Sequence, residues 1–202
     1  MTSHPKRDLV LINTAGFLRS FGVGWMGVVL GIYLFRTGLT SLAIGFVIAV
    51  GLAGAALATV SVSLFADRVG RRSFLLYLSL LNGVAGIGLA ISASLPVLAM
   101  LAFVGMLNGT GTDRSAASAL EQAVIPALAS DTRRTWNLAW YNVLLDGGGA
   151  LGAMAAVLPI LLQRHLSVSV LHSYRLVFFG YFGLCLGVGG CLLFSFSGSG
   201  SW

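Results

Sequence analysis

Ten residues, Ser63-Leu64-Phe65-Ala66-Asp67-Arg68-Val69-Gly70-Arg71-Arg72, set four charges and a turn glycine between two long apolar stretches. In a chain that is 57% hydrophobic and only 9% charged, such a cluster is forced to where the polypeptide leaves an apolar medium. Soluble domains carry about 25% charged residues, so burial in lipid is the reading that fits, and a mean hydropathy of +0.92 agrees. The net charge of +6 is almost wholly arginine, with Lys6 the sole lysine. In a membrane chain such charge sets topology, and no basic patch with interleaved aromatics points to nucleic acid. Cys185 and Cys191, in one apolar segment, point to different sides of a helix at about 100° per residue and are read as packing residues. The three histidines are dispersed and offer no metal-ligand constellation.

A helix needs about 20 apolar residues to cross a bilayer. Six segments qualify: 9–34, 41–64, 74–93, 95–117, 135–161 and 174–195. The breaks fall at Arg36-Thr37-Gly38, the charged decapeptide, Ser92 to Pro96, Pro126 to Arg134, and Gln163 to Ser173. The first apolar run is too long for a signal-peptide core and lacks a small-residue cleavage site, so it reads as a spanning helix. Residues 1–8 are then an N-terminal segment, 9–195 a transmembrane bundle, and 196–202 a flexible tail or the start of a connecting loop. Lys6, Arg7, Arg68, Arg71, Arg72, Arg133 and Arg134 gather on one side, against Arg36, Arg164 and Arg175 on the other. Positive residues favour the cytoplasm, which places both termini there, in the inner (plasma) membrane. Glycine pairs at helix-packing spacing, Gly27/Gly31, Gly105/Gly109, Gly148/Gly152 and Gly183/Gly187, predict close helix association. Gly22 to Gly27 fits G-x-G-x-x-G, but it lies mid-span with no preceding strand, so it is no dinucleotide site.

The decapeptide resembles the signature loop between the second and third helices of the major facilitator superfamily, G-x-L-A-D-R-x-G-R-K/R. Ala66, Asp67, Arg68, Gly70, Arg71 and Arg72 match, while Ser63 replaces glycine and Phe65 replaces leucine. Leu107 to Arg114 through Ala119 to Ala123 looks like the fourth helix of bacterial members, and Arg133 to Asn142 with Gly147 to Gly152 looks like the fifth. The fourth-helix arginine motif and the glycine-proline motif of drug/proton antiporters are missing. The resemblance implies an all-α membrane protein forming the N-terminal six-helix half of a twelve-helix transporter. It implies secondary active transport of a small solute by alternating access, with a C-terminal six-helix half or a second copy as the partner. The alternative is a non-transporting assembly or regulatory protein on a half-transporter fold. Enzymatic chemistry is not expected: no G-x-S-G stretch occurs, and His165 and His172 fall in or beside one loop, so no intramembrane serine nucleophile is supplied.

Charges inside a span cost about 2.5–3.5 kcal/mol on insertion scales and usually face a cavity or a partner. Arg19 in the first span and Asp146 in the fifth reach similar depth, and the resemblance places those helices side by side. An Arg19–Asp146 pair is therefore expected, either binding substrate or relaying a proton, or locking the two helices. No cofactor is expected beyond a coupled proton or ion. The resemblance also suggests that Asp113, Arg114 and Glu121 form a charge network with Asp67, Arg68, Gly70, Arg71 and Arg72 that gates the transporter. A second reading makes Asp113 and Glu121 interfacial charges that offset neighbouring arginines. Asn13, Asn108, Asn137 and Asn142 are polar enough to touch substrate, although interhelical bonding is the commoner use of such groups. Trp136 and Trp140 sit where interfacial anchors would.

Overall fold

The computed structural model describes residues 5–107, 109, 116–128 and 134–195. They form eight helices: α1 (Pro5–Arg36), α2 (Ser41–Val69), α3 (Arg71–Ile91), α4 (Leu95–Val104), α5 (Ala116–Leu128), α6 (Arg134–Ala155), α7 (Leu158–Leu166) and α8 (Val170–Ser195). Among the described residues there is no strand. Five stretches are long and apolar enough to cross a membrane: Leu9–Arg36, Ser41–Phe65, Ser73–Ile91, Arg134–Leu166 and Val170–Leu193. The protein is thus an all-α, multi-pass membrane protein.

The expected fourth span, 95–117, is not one helix. α4 has ten residues, about 15 Å at 1.5 Å per residue, roughly half of a hydrocarbon core. It ends on a left-handed residue, Met106 at φ 53. The Leu107 amide donates to the Ala102 carbonyl at 3.0 Å and the Met106 amide to the Phe103 carbonyl at 3.2 Å, the paired bonds of a Schellman stop. Crowding explains why the chain turns here. A Cβ on Gly105 would strike the Ala85 side chain, and the Phe103 and Leu107 carbonyls press on Gly54 and Gly51 of α2. The next helix, α5, then runs through Pro126 to Leu128, where a break was expected.

The charged decapeptide is not an open loop either. α2 continues through Asp67 and Arg68 to Val69, and α3 starts at Arg71. Only Gly70 separates them, at φ 90, a conformation that glycine adopts without a Cβ penalty. The first expected break forms as read: the Gly38 amide donates to the Phe35 carbonyl and that of Leu39 to Leu34, with Gly38 at φ 86. The fifth span pauses at Ala156–Val157 before α7 carries Pro159 in its first turn, where the missing N–H costs least.

α1 lies at the centre, packed on α6 and α8 and touching α5 and α2, while α3 rests on α8 and α2 on α4. Its seam with α6 is built from small residues. Gly16 faces Tyr141, the Ser20 hydroxyl donates to the Leu145 carbonyl at 2.5 Å, and Gly24 meets the Gly149 backbone. From the other side, Gly148 and Gly152 press on the backbone of Phe17, Phe21 and Trp25. Of the predicted glycine pairs, Gly148/Gly152 makes this contact, whereas Gly31, Gly183 and Gly187 face open space. On α1 the work falls to Gly16, Ser20 and Gly24. At one end of the bundle the Tyr33 hydroxyl donates to the Leu89 and Ala90 carbonyls, both at 3.2 Å, and Arg175 Nε donates to Ala90 at 3.0 Å. These bonds satisfy the last carbonyls of α3.

Candidate functional site

Arg19 lies ten residues beyond Leu9, the start of the first candidate span, about 15 Å along it. Its guanidinium meets the Glu121 carboxylate edge to edge, Nη1 to Oε1 at 2.5 Å and Nη2 to Oε2 at 2.9 Å. The Tyr141 hydroxyl donates to Glu121 Oε2 at 2.5 Å and accepts from Arg19 Nη2 at 3.2 Å. Three helices, α1, α5 and α6, thus converge on one polar triangle. Glu121 is 2% exposed and Arg19 14%, so the pair is sealed on the acid side and open a little on the basic side.

Each element contributes a physical reason for this placement. A Cβ on Gly16 would lie 2.8 Å from the Tyr141 ring and 3.3 Å from Glu121 Oε2, so glycine makes the room both groups need. Below the triangle, Ile12, Ile125, Tyr141 and Leu145 form an apolar cluster that shields it. A two-pronged guanidinium–carboxylate contact is the strong form of an ion pair, and in a dry setting its desolvation is offset only by such complete bonding. Asn13 Oδ1 and Trp25 Nε1, also on α1, are buried and have no hydrogen-bond partner among the described residues.

The expected Arg19–Asp146 pair does not form, and the reason is angular. Gly148 and Gly152 mark the side of α6 that faces α1. At 100° per residue, Asp146 stands about 200° from Gly148, on the opposite side, and it is exposed. Tyr141 stands about 20° from Gly148, which puts it on the seam. Glu121 is not an interfacial charge, because it is buried inside the bundle against Arg19. Asn142 is exposed and bonds within its own helix, Nδ2 to the Leu138 carbonyl at 3.0 Å. Asn108, Asp113 and Arg114 lie outside the described residues, as do the side chains of Asp67, Arg68, Arg71 and Arg72. Trp136 and Trp140 are exposed at the start of α6. Among the described residues no group of His, Cys, Asp or Glu is gathered for a metal.

No family model matches the sequence. An uncharacterized membrane protein of Saccharomyces cerevisiae is 26% identical over 183 residues, covering 89% of this chain and 41% of that protein. The chain therefore spans about two-fifths of the relative's length. The likeness agrees with the apolar helices in making this a membrane protein.

Proposed function

We propose that the chain is one half of a secondary transporter of the major facilitator type, moving a small solute by alternating access. The observation that carries this reading is the Arg19–Glu121–Tyr141 triangle, held mid-membrane beside a fourth segment broken into two short helices. Interrupted helices and charged groups near the midplane are where secondary transporters bind their solutes and ions. The decapeptide supports the same reading, with Gly70 at a positive φ that glycine adopts readily. The longer yeast relative leaves room for a second bundle against which this one rocks.

The test separates a working ion pair from a structural one. Replacing both partners with apolar residues, Arg19→Met with Glu121→Leu, keeps a packed interior, since such replacements are often neutral for stability. Wild-type protein in proteoliposomes, reconstituted with the second bundle or second copy that this reading requires and screened with labelled sugars, amino acids, organic cations and organic anions, should exchange one solute class. The double variant, folded by ellipticity and monodisperse on gel filtration, should lose that exchange. Unchanged exchange in the folded double variant would overturn the assignment.

A further inference from the structure

Three helix ends meet around the Ala90 carbonyl. The last turn of α1 brings the Tyr33 hydroxyl, which donates to it at 3.2 Å, and the start of α8 brings Arg175 Nε, which donates at 3.0 Å. Arg36 is exposed one turn beyond Tyr33. α7 joins this end where Gln163 Nε2 donates to the Ser173 hydroxyl at 2.8 Å, which brings the exposed Arg164 and His165 alongside. His172, also exposed, holds Nδ1 2.8 Å from the Ser169 hydroxyl.

No carboxylate answers this charge. The sequence has no acid between residues 9 and 66, 68 and 112, or 147 and 202, and every helix end gathered here falls inside those stretches. At the opposite end of the bundle acids stand among the basic residues, Asp8 beside Arg7 and Asp67 beside Arg68. Topology does not call for arginine here either, because the opposite end is the more basic and positive charge favours one side of a membrane. Beside these charges Phe35, Leu42, Ile91 and Leu166 are large, apolar and exposed.

We propose that this acid-free end is a docking surface for an acidic phospholipid, whose phosphate sits against Arg175 and Arg36 while its acyl chains run past Phe35 and Ile91. Arginine presents a planar fork of donors that matches phosphate, and basic pockets between membrane helices hold acidic headgroups. The apolar rim selects a lipid over a soluble anion, which would gain nothing from covering Phe35 and Ile91. Because Arg175 Nε is bonded to Ala90, the bound headgroup is tied to the last turn of α3, and the lipid clamps α1, α3 and α8 together. The surface is independent of the transporter reading.

Native mass spectrometry of the full chain in dodecyl maltoside, with dioleoyl phosphatidylglycerol as the probe, tests this. The first lipid should bind about tenfold more tightly than dioleoyl phosphatidylcholine. Each basic side chain near a headgroup is worth about fivefold in affinity, so Arg36→Gln with Arg164→Gln should weaken binding about 25-fold. Both side chains are exposed, and the variant should keep its ellipticity. Arg175→Lys retains the charge but not the fork, and should weaken binding about as much as losing one exposed arginine. Arg134→Gln, at the opposite end, should leave the first affinity unchanged. Equal affinity for the two lipids overturns the proposal, as does wild-type binding by the Arg36/Arg164 variant or by Arg175→Lys. If Arg134→Gln weakens binding as much as the pair, the attraction is diffuse and there is no site. Displacement of the lipid by excess inorganic phosphate would make this an anion site and overturn the assignment to lipid.

Discussion

Removing the acid from the α1–α5–α6 triangle should damage the fold more than removing the whole pair. Glu121 is 2% exposed and carries both prongs of the Arg19 contact plus the Tyr141 hydroxyl. Glu121→Gln removes the carboxylate that takes both prongs of the Arg19 guanidinium, and breaking a buried pair in this way costs about 3–5 kcal/mol. Tyr141→Phe removes one bond to a charged acceptor and should cost about 1.5–3 kcal/mol. Arg19→Met with Glu121→Leu, made in the Tyr141→Phe background so that no hydroxyl is left unpaired, removes both charges and should return to within about 1 kcal/mol of that background, because hydrophobic replacements of a buried pair are often neutral. Unfolding by graded SDS in mixed micelles, followed by far-ultraviolet ellipticity, measures each variant, and the double-mutant cycle extracts the coupling. A Glu121→Gln variant less than about 1 kcal/mol below wild type would refute the reasoning, since Arg19 would then have found another partner. A double variant as unstable as the single one would refute it too.

The glycine seam makes a contrasting pair of predictions. Gly152→Ala drives a methyl into the Phe21 carbonyl and should cost about 1–3 kcal/mol as an overpacked contact, whereas Gly183→Ala enters open space and should stay within about 0.5 kcal/mol. The same unfolding assay reads both. Gly70→Ala forces a side chain into a φ of 90 and should cost about 1–3 kcal/mol. Its secondary structure, by ellipticity, should hold because both flanking helices survive. Tyr33→Phe takes the side-chain donor from the Leu89 carbonyl and leaves Ala90 with Arg175 alone; it should cost about 1 kcal/mol, with amide exchange rising at the α3 terminus.

Apolar run length was enough to find five of the spans, because in lipid only a helix satisfies its own backbone. It misled at residues 95–117, where the apolar run continues to Leu107, past the point at which Gly105 and the press of α2 end the helix. Hydropathy registers solvent preference, not the steric stop. Arg19 was legible as a costly charge in need of a partner. Its partner was not, since depth pointed to Asp146, whereas Glu121 lay beyond the expected end of the fourth span at residue 117. The missing constraint was azimuth, and the Gly148/Gly152 spacing already contained it: counting 100° per residue from those glycines selects Tyr141 and rejects Asp146. Glu121 itself was hidden because its helix is too short to register as a span.

The one-residue joint at Gly70 restricts how this end of the bundle can move. A single residue advances the chain by about 3.8 Å, less than the 5.4 Å pitch of one helical turn. A loop of five or six residues would act as slack cable, letting α2 and α3 slide past each other. Here the joint behaves as a pivot pin: the helices can swing about it, but neither can ratchet by a turn against the other. Because the joint lies inside the charged decapeptide, any force applied to those arginines and to Asp67 is delivered to both helices at once, as torque.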